Sequence, residues 1–183
     1  MTSALLAVLL FAAAASDLRS RRIPNWLIVV GIGGAFGAHA MSMANDMAPL
    51  AGVASWSPLA GLATGFALLL PLYLLRATGA GDVKLMAAVG AFVGASNVLS
   101  AALYTLLAGG LLSLLYMLER GVANELLANL RSILPNRARR AVSGMGVSTQ
   151  TTAVRLPYAV AIALGTTAAL LWPLQPMLNG GAR

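Results

Sequence analysis

Long apolar runs separated by short polar breaks dominate the chain. A helix needs about 20 residues to cross the hydrocarbon core of a bilayer, and most of these runs approach or reach that length with almost no charge. The predicted spans cover residues 2–16, 26–44, 58–75, 83–97, 98–118 and 156–176. The pattern therefore predicts an all-α, polytopic membrane helix bundle of about six transmembrane helices that forms one domain over residues 1–183.

Glycine and other small residues refine this layout. The apolar stretch from 83 to 118 is too long for one span, and Gly94-Ala95-Ser96-Asn97 is typical of a turn within it. Glycines four residues apart let helices approach closely in lipid. Two such pairs occur, Gly33 with Gly37 and Gly61 with Gly65. We expect close helix contacts at both pairs.

Composition supports a membrane protein and excludes several kinds of site. Of the 183 residues, 59% are hydrophobic and 9% are charged, whereas a soluble domain has about 25% charged residues. The chain has no cysteine, which excludes disulfides, thiolate metal sites and a cysteine nucleophile. His39 is the single histidine, and we interpret it as a helix-packing residue because one histidine makes no His-rich metal site. We expect neither a metal nor a cofactor.

The basic residues give the layout an orientation. Eleven of the twelve Lys and Arg side chains fall on one side of the predicted bundle. They are Arg19, Arg21, Arg22, Arg76, Lys84, Arg120, Arg131, Arg137, Arg139, Arg140 and Arg155. By the positive-inside rule that side is the cytoplasm and the N-terminus is outside, so the net charge of +7 indicates cytoplasmic loops rather than nucleic-acid binding. The first apolar run has no Lys or Arg before it, which favours a retained span over a cleaved signal peptide.

The loop over residues 119–155 contains two basic or amphipathic parts. Apolar residues recur at helical spacing over residues 122–134, which predicts an interfacial amphipathic helix. Arg137-Ala138-Arg139-Arg140 forms a basic cluster after it. We interpret this loop as a topology anchor that contacts anionic lipid, with a contact to substrate or a partner protein as the alternative.

Two polar breaks on the cytoplasmic side each centre on one aspartate, Asp17 and Asp82. An ionisable residue at a membrane segment is a functional hypothesis by default. Spans 1 and 4 have about 15 residues each, so we expect both carboxyl groups at similar depth near the inner boundary. An ionised carboxylate can take a proton from water while a protonated one polarises a carbonyl, which is aspartyl protease chemistry. For each aspartate alone, a helix cap or an ion pair with a nearby Arg or Lys84 is the alternative.

The residues around the two aspartates resemble a known family. Gly79-Ala80-Gly81-Asp82-Val83-Lys84 resembles the Gly-x-Gly-Asp motif of membrane aspartyl proteases, and its continuation to Leu85 is typical of type IV prepilin peptidases. Asp17 followed by Ile23-Pro24-Asn25 is similar to the first aspartate segment of that family. Leu156-Pro157-Tyr158-Ala159 resembles the start of its last helix.

The resemblance implies a peptidase at the cytoplasmic face of the bacterial inner membrane. It would remove the short basic leader from prepilin or pseudopilin precursors, on the N-terminal side of their hydrophobic segment. Asp17 and Asp82 would be the catalytic pair. The supporting motif residues would be Gly79, Gly81, Lys84, Pro24 and Asn25.

The length of the chain refines this expectation. Larger members of the family carry an extra N-terminal cytoplasmic region, often with paired cysteines, that is linked to N-methylation of the mature pilin. This chain begins at its first predicted span and has no cysteine. We therefore expect peptidase activity without N-methyltransferase activity, as in the prepilin peptidases of Flp, or tight-adherence, pilus systems.

Two alternatives to this reading stay open at the level of sequence. A non-enzymatic transporter or pilus assembly subunit could use the two acids as a proton relay, although no internal repeat of the kind common in transporters is visible. A peptidase of the same family could instead act on archaeal preflagellin or on a type II secretion pseudopilin.

Overall fold

Five α-helices make up the regular structure of the described residues. The computed structural model describes residues 2–52, 54–75, 78–120 and 158–172. Its helices are α1 (Thr2–Ser20), α2 (Asn25–Ala44), α3 (Ser57–Leu74), α4 (Ala80–Arg120) and α5 (Tyr158–Leu171). The chain divides into two compact units, of which the first holds the described residues up to Gly109 together with α5. All the contacts reported below lie within this first unit.

Helix α4 is interrupted at Gly94, whose φ of 81° and ψ of 169° are not helical. Asp82 and Gly109 lie on either side of this break, and both lie beside Tyr158. A straight helix between them would be about 40 Å long, so the chain reverses at Gly94. This confirms the turn predicted there. Glycine is required because a side chain would be strained at this φ and would overlap the backbone of Ala51.

The part of α4 before Gly94, which we call its first arm, forms the centre of the first unit. From residue 85 onward it is buried on all faces, with side chains that include Leu85, Met86, Val89 and Phe92. A helix that is apolar all round is expected to be surrounded by other helices. The other helices pack around this arm or around each other, which places Asp82, near its first residue, inside the bundle.

Glycines set the closest helix contacts, but only one of the two predicted pairs does so. A Cβ atom added at Gly61 or Gly65 would overlap the backbone of the first arm of α4, at Gly90 and Met86 respectively. Among the described residues, an added Cβ at Gly33 or Gly37 meets no atom within 4 Å. The prediction of a close helix contact at Gly33 and Gly37 was therefore wrong.

Helix length and apolar surface agree with a membrane protein. Four of the described helices, α1 to α4, are long and apolar enough to cross a membrane, whereas α5 has 14 residues. Large apolar side chains point outward, and Phe11 is 77% exposed. Such surfaces are expected where helices face lipid. The all-helical class is confirmed, whereas the count of six and the orientation stay predictions. The predicted amphipathic helix and basic cluster of loop 119–155 lie outside the described residues.

Helix α1 is longer than its predicted span. The apolar run ends at residue 16, yet the helix continues to Ser20 and has 19 residues. Helical hydrogen bonding does not depend on apolar side chains, and Arg19 in the last turn favours a helix C-terminus electrostatically. Asp17 therefore lies within the last turn of α1, and the depth expected from a 15-residue helix does not apply to it.

Candidate functional site

Asp17 is a buried carboxylate that is held by a distant part of the chain. Its side chain is 7% exposed. The backbone N–H of Ala159 donates a hydrogen bond of 3.0 Å to Asp17 Oδ2, across 142 residues of sequence. Ala159 lies in the first turn of α5, where backbone N–H groups have no partner within the helix. The free N–H groups of one helix thus stabilise the carboxylate of another, in a charge-assisted bond.

Asp82 is the third residue of α4 and is also buried, with 9% of its surface exposed. The backbone N–H of Gly79 donates a hydrogen bond of 2.9 Å to Asp82 Oδ2. An acidic side chain that reaches back to the N–H before its helix is the arrangement found in capping boxes. The cap interpretation therefore describes one of the contacts of Asp82. Burial beside Asp17 is a separate property that a cap on a solvent-exposed helix end does not need.

The two carboxylates lie near one another. Asp17 lies within electrostatic range of Asp82. Within the described residues, neither aspartate forms an ion pair with Arg or Lys, so the alternative of a simple salt bridge is not observed there. A carboxylate has about four lone-pair positions, so each keeps capacity to bind water or a protonated group. Two buried carboxyl groups within electrostatic range of one another are the groups that acid–base chemistry on a carbonyl needs.

The supporting motif residues lie around the same site. Lys84 Nζ donates a hydrogen bond of 3.0 Å to Asn25 Oδ1, which joins the two polar segments. Pro24 is the extended residue that precedes α2, with φ −63° and ψ 134°. A Cβ added at Gly81 would lie 3.4 Å from Ile23 Cβ, and one at Gly79 would lie 3.2 Å from Asp82 Oδ2. The predicted residues therefore meet at one end of the first unit.

Three contributors were missed by sequence reasoning. The Ala159 N–H belongs to the backbone, which no residue pattern reveals. Tyr158 is half-buried and interacts electrostatically with Asp82. Thr78, directly before Gly79, has a buried hydroxyl without a hydrogen-bond partner in the described part of the chain. The resemblance of residues 156–159 to the start of a family helix was the one signal that pointed toward α5.

A groove of about 280 Å³ lies on another face of α4. Apolar side chains of α2, α3 and α4 form most of its wall, and Lys84 with Asn25 are its polar members. Lys84 follows Asp82 by two residues, which is about 200° around a helix. The groove and the carboxylate pair therefore occupy opposite faces of the first arm of α4.

The described ranges contain no group of three His, Cys, Asp or Glu side chains that could hold a metal ion. His39 is buried in α2, as a packing residue would be. Neither ring nitrogen of His39 has a hydrogen-bond partner among the described residues.

Comparison with known proteins gives one match. A model of the type IV leader peptidase family matches residues 4–114, more than half of the chain. The matched range contains both aspartates and all the supporting motif residues, and it ends before α5. No curated protein and no solved structure matches the chain significantly.

Proposed function

Because the chain belongs to the type IV leader peptidase family, we propose that it is a membrane aspartyl endopeptidase with Asp17 and Asp82 as its catalytic pair. The proposal rests on one observation: two buried carboxyl groups within electrostatic range of each other, each held by a backbone N–H, lie at the ends of two apolar helices. The substrate is a prepilin or pseudopilin precursor, with the Flp type as the expected form. The enzyme removes its short basic leader.

The reaction needs only the two carboxyl groups and water. The ionised aspartate takes a proton from a water molecule as the water oxygen attacks the scissile carbonyl carbon. The protonated aspartate donates to the carbonyl oxygen and stabilises the developing negative charge. The aspartate that took a proton from water then gives it to the amide nitrogen, while the other aspartate recovers its proton as the carbonyl re-forms and the C–N bond breaks. The products are the leader with a new carboxyl group and the mature chain with a new amine. The bonds from Ala159 and Gly79 support this step by fixing the carboxylates before substrate arrives.

Cleavage at the cytoplasmic face of the bacterial inner membrane is part of the proposal. Arg19, Arg21 and Arg22 follow Asp17 closely and are exposed. Basic residues next to a span favour the cytoplasmic side. Asp17, three residues before the end of α1, would then lie where a leader that stays in the cytoplasm can reach it.

The test is cleavage of prepilin precursors by the purified protein in detergent. The wild type is expected to shorten a precursor by the mass of its leader, whereas Asp17→Asn and Asp82→Asn each lose this activity because they keep shape but not the ionisable group. Asp46→Asn is the matched control. Asp46 is exposed and has a φ of 54°, a conformation that Asn tolerates well, so this variant keeps full activity.

Two results would contradict the proposal at different levels. Cleavage by a correctly inserted Asp17→Asn or Asp82→Asn protein would remove that residue from the catalytic pair. Failure of the wild type to cleave Flp-type, type IV and pseudopilin precursors alike would remove the peptidase assignment. Cleavage of a precursor other than the Flp type would correct only the substrate.

A further inference from the structure

Tyr158 stands at the junction of three elements of the site. The next residue, Ala159, donates its N–H to Asp17. Tyr158 itself interacts electrostatically with Asp82. Its ring lies against Gly109, on the part of α4 that follows Gly94 and that we call the second arm. The tyrosine is thus linked to both aspartates, although it lies outside the residues that the family model matches.

The Tyr158 ring can occupy its position only because residue 109 has no side chain. A Cβ atom added at Gly109 would lie 2.9 Å from Cε2, 3.3 Å from Cζ and 3.4 Å from Oη of the tyrosine. Real Cβ atoms almost never approach another atom within 3.0 Å. The ring therefore fills the space that glycine leaves, and a larger residue there would displace it.

The position of the ring bears on the hydrogen bond to Asp17. Tyr158 begins α5 and is bonded directly to Ala159, so a ring that is fixed against the second arm restrains the backbone that carries the first N–H groups of the helix. Further along, Gly165 packs against Thr105 of the same arm, where an added Cβ would overlap the Thr105 backbone. The contact at Gly165 holds the middle of α5, while the contact at Gly109 holds its first turn.

We infer that Tyr158 is a positioning residue of the site, which uses its packing on Gly109 to hold the Ala159 N–H against Asp17. The inference rests on the proposed function for its readout in catalysis. It does not make Tyr158 a catalytic residue, because the ring acts through the groups that it places. Its consequence is an energetic coupling between positions 109 and 158 that appears in the cleavage rate.

The experiment is a double-mutant cycle of Gly109→Ala and Tyr158→Ala, measured as kcat and KM for precursor cleavage. Displacing a catalytic group by about 1 Å can cost on the order of 10²-fold in rate, so each single variant should lower kcat by about tenfold to a hundredfold with little change in KM. Because the clash involves the ring, Gly109→Ala should have almost no further effect once Tyr158 is alanine. Tyr158→Phe keeps the ring and should therefore keep most of the wild-type kcat.

The matched control and the opposing results are defined by the structure. Gly37→Ala also adds a methyl group to a helical glycine, but that group meets no atom of the described residues within 4 Å, and cleavage should stay unchanged. Equal effects of Gly109→Ala in the wild type and in Tyr158→Ala would overturn the inference, as would wild-type kcat in Gly109→Ala.

An activity-independent measurement separates this inference from the proposed function. Hydrogen exchange of the Ala159 amide should be slow in the wild type and faster in Gly109→Ala, whether or not any precursor is cleaved. If the wild type cleaves nothing but this exchange difference appears, the function is wrong and the positioning role holds. If the wild type cleaves and Ala159 exchange is unaffected by Gly109→Ala, the positioning role is wrong.

Discussion

Asp82 and Lys84 are two residues apart in one motif, yet they belong to different regions of the molecule. Asp82 is buried and faces Asp17 and the start of α5. Lys84 is exposed, bonds Asn25 at the start of α2 and lines the apolar groove. A helix separates positions i and i+2 by about 200°, so one short motif supplies a reactive group to one face and a structural contact to the other. Residues that are close in one motif therefore need not share a role.

The largest expected effect comes from moving the carboxylate between the two faces. Asp82→Asn combined with Lys84→Asp keeps an acid in the motif but places it on the groove side. General acid–base groups contribute about 10²- to 10⁴-fold to rate, so the double variant should cleave precursors on the order of 10³-fold more slowly than the wild type, like Asp82→Asn alone. Recovery of activity in the double variant, measured with purified and correctly inserted protein, would show that the two faces are interchangeable.

The next effect concerns the contact that holds α3 against the groove side of α4. Gly61→Ala would force a methyl group into the backbone of Gly90, and overpacking of this kind costs about 3 kcal/mol of the free energy of unfolding. Thermal unfolding in detergent measures it. Gly33→Ala is the comparison variant, because its methyl group meets no atom within 4 Å in the part of the chain that the structure describes, and it should change stability by less than about 0.5 kcal/mol. Equal losses in both variants would contradict the glycine contacts described above.

A smaller effect is expected for the Lys84–Asn25 hydrogen bond, which bridges the two polar segments. One hydrogen bond contributes about 1 kcal/mol net, or about fivefold. Lys84→Met and Asn25→Ala should each slow cleavage by about fivefold, and together by no more than either alone. Cleavage rates of the wild type, the two single variants and the double variant test this expectation. A loss as large as that of Asp82→Asn would assign Lys84 to the carboxylate face instead.

The smallest effect on cleavage is expected at His39, 14 residues along α2 from Asn25 and so about 21 Å from the site. Its buried ring nitrogens lack partners among the described residues, and such unpaired groups cost about 1–3 kcal/mol. His39→Leu should therefore unfold at equal or higher temperature than the wild type and cleave at the same rate. His39→Gln retains polar atoms and should not raise the unfolding temperature. A loss of cleavage in His39→Leu would connect the histidine to the reaction.

Much of the fold followed from the pattern of apolar residues. The five described helices begin and end within a few residues of the predicted spans, and the interruption of α4 falls at the first residue of the expected turn. The end of α1 was misplaced because a helix continues through polar residues after its apolar run ends. The close contact predicted at Gly33 was wrong because spacing marks a small-residue face without saying whether another helix lies against it.

The structure within each polar segment follows from interactions between neighbouring residues. Gly79, Gly81 and Asp82 stand together at the start of a helix, so their bond and their turn arise from neighbouring residues. Charge and burial cost alone made each aspartate a candidate for function. These properties depend on interactions over a few residues, which the order of amino acids specifies directly.

Contacts between distant parts of the chain depend on tertiary packing. The Ala159 N–H reaches Asp17 across 142 residues, and Tyr158 lies against Gly109 and beside Asp82. Such contacts depend on the reversal at Gly94 and on the packing of α5 on the second arm, which together set distances that no local pattern encodes. The same packing turned Asp82 inward and Lys84 toward the groove, because a helix surrounded on all sides presents each residue to a different neighbour.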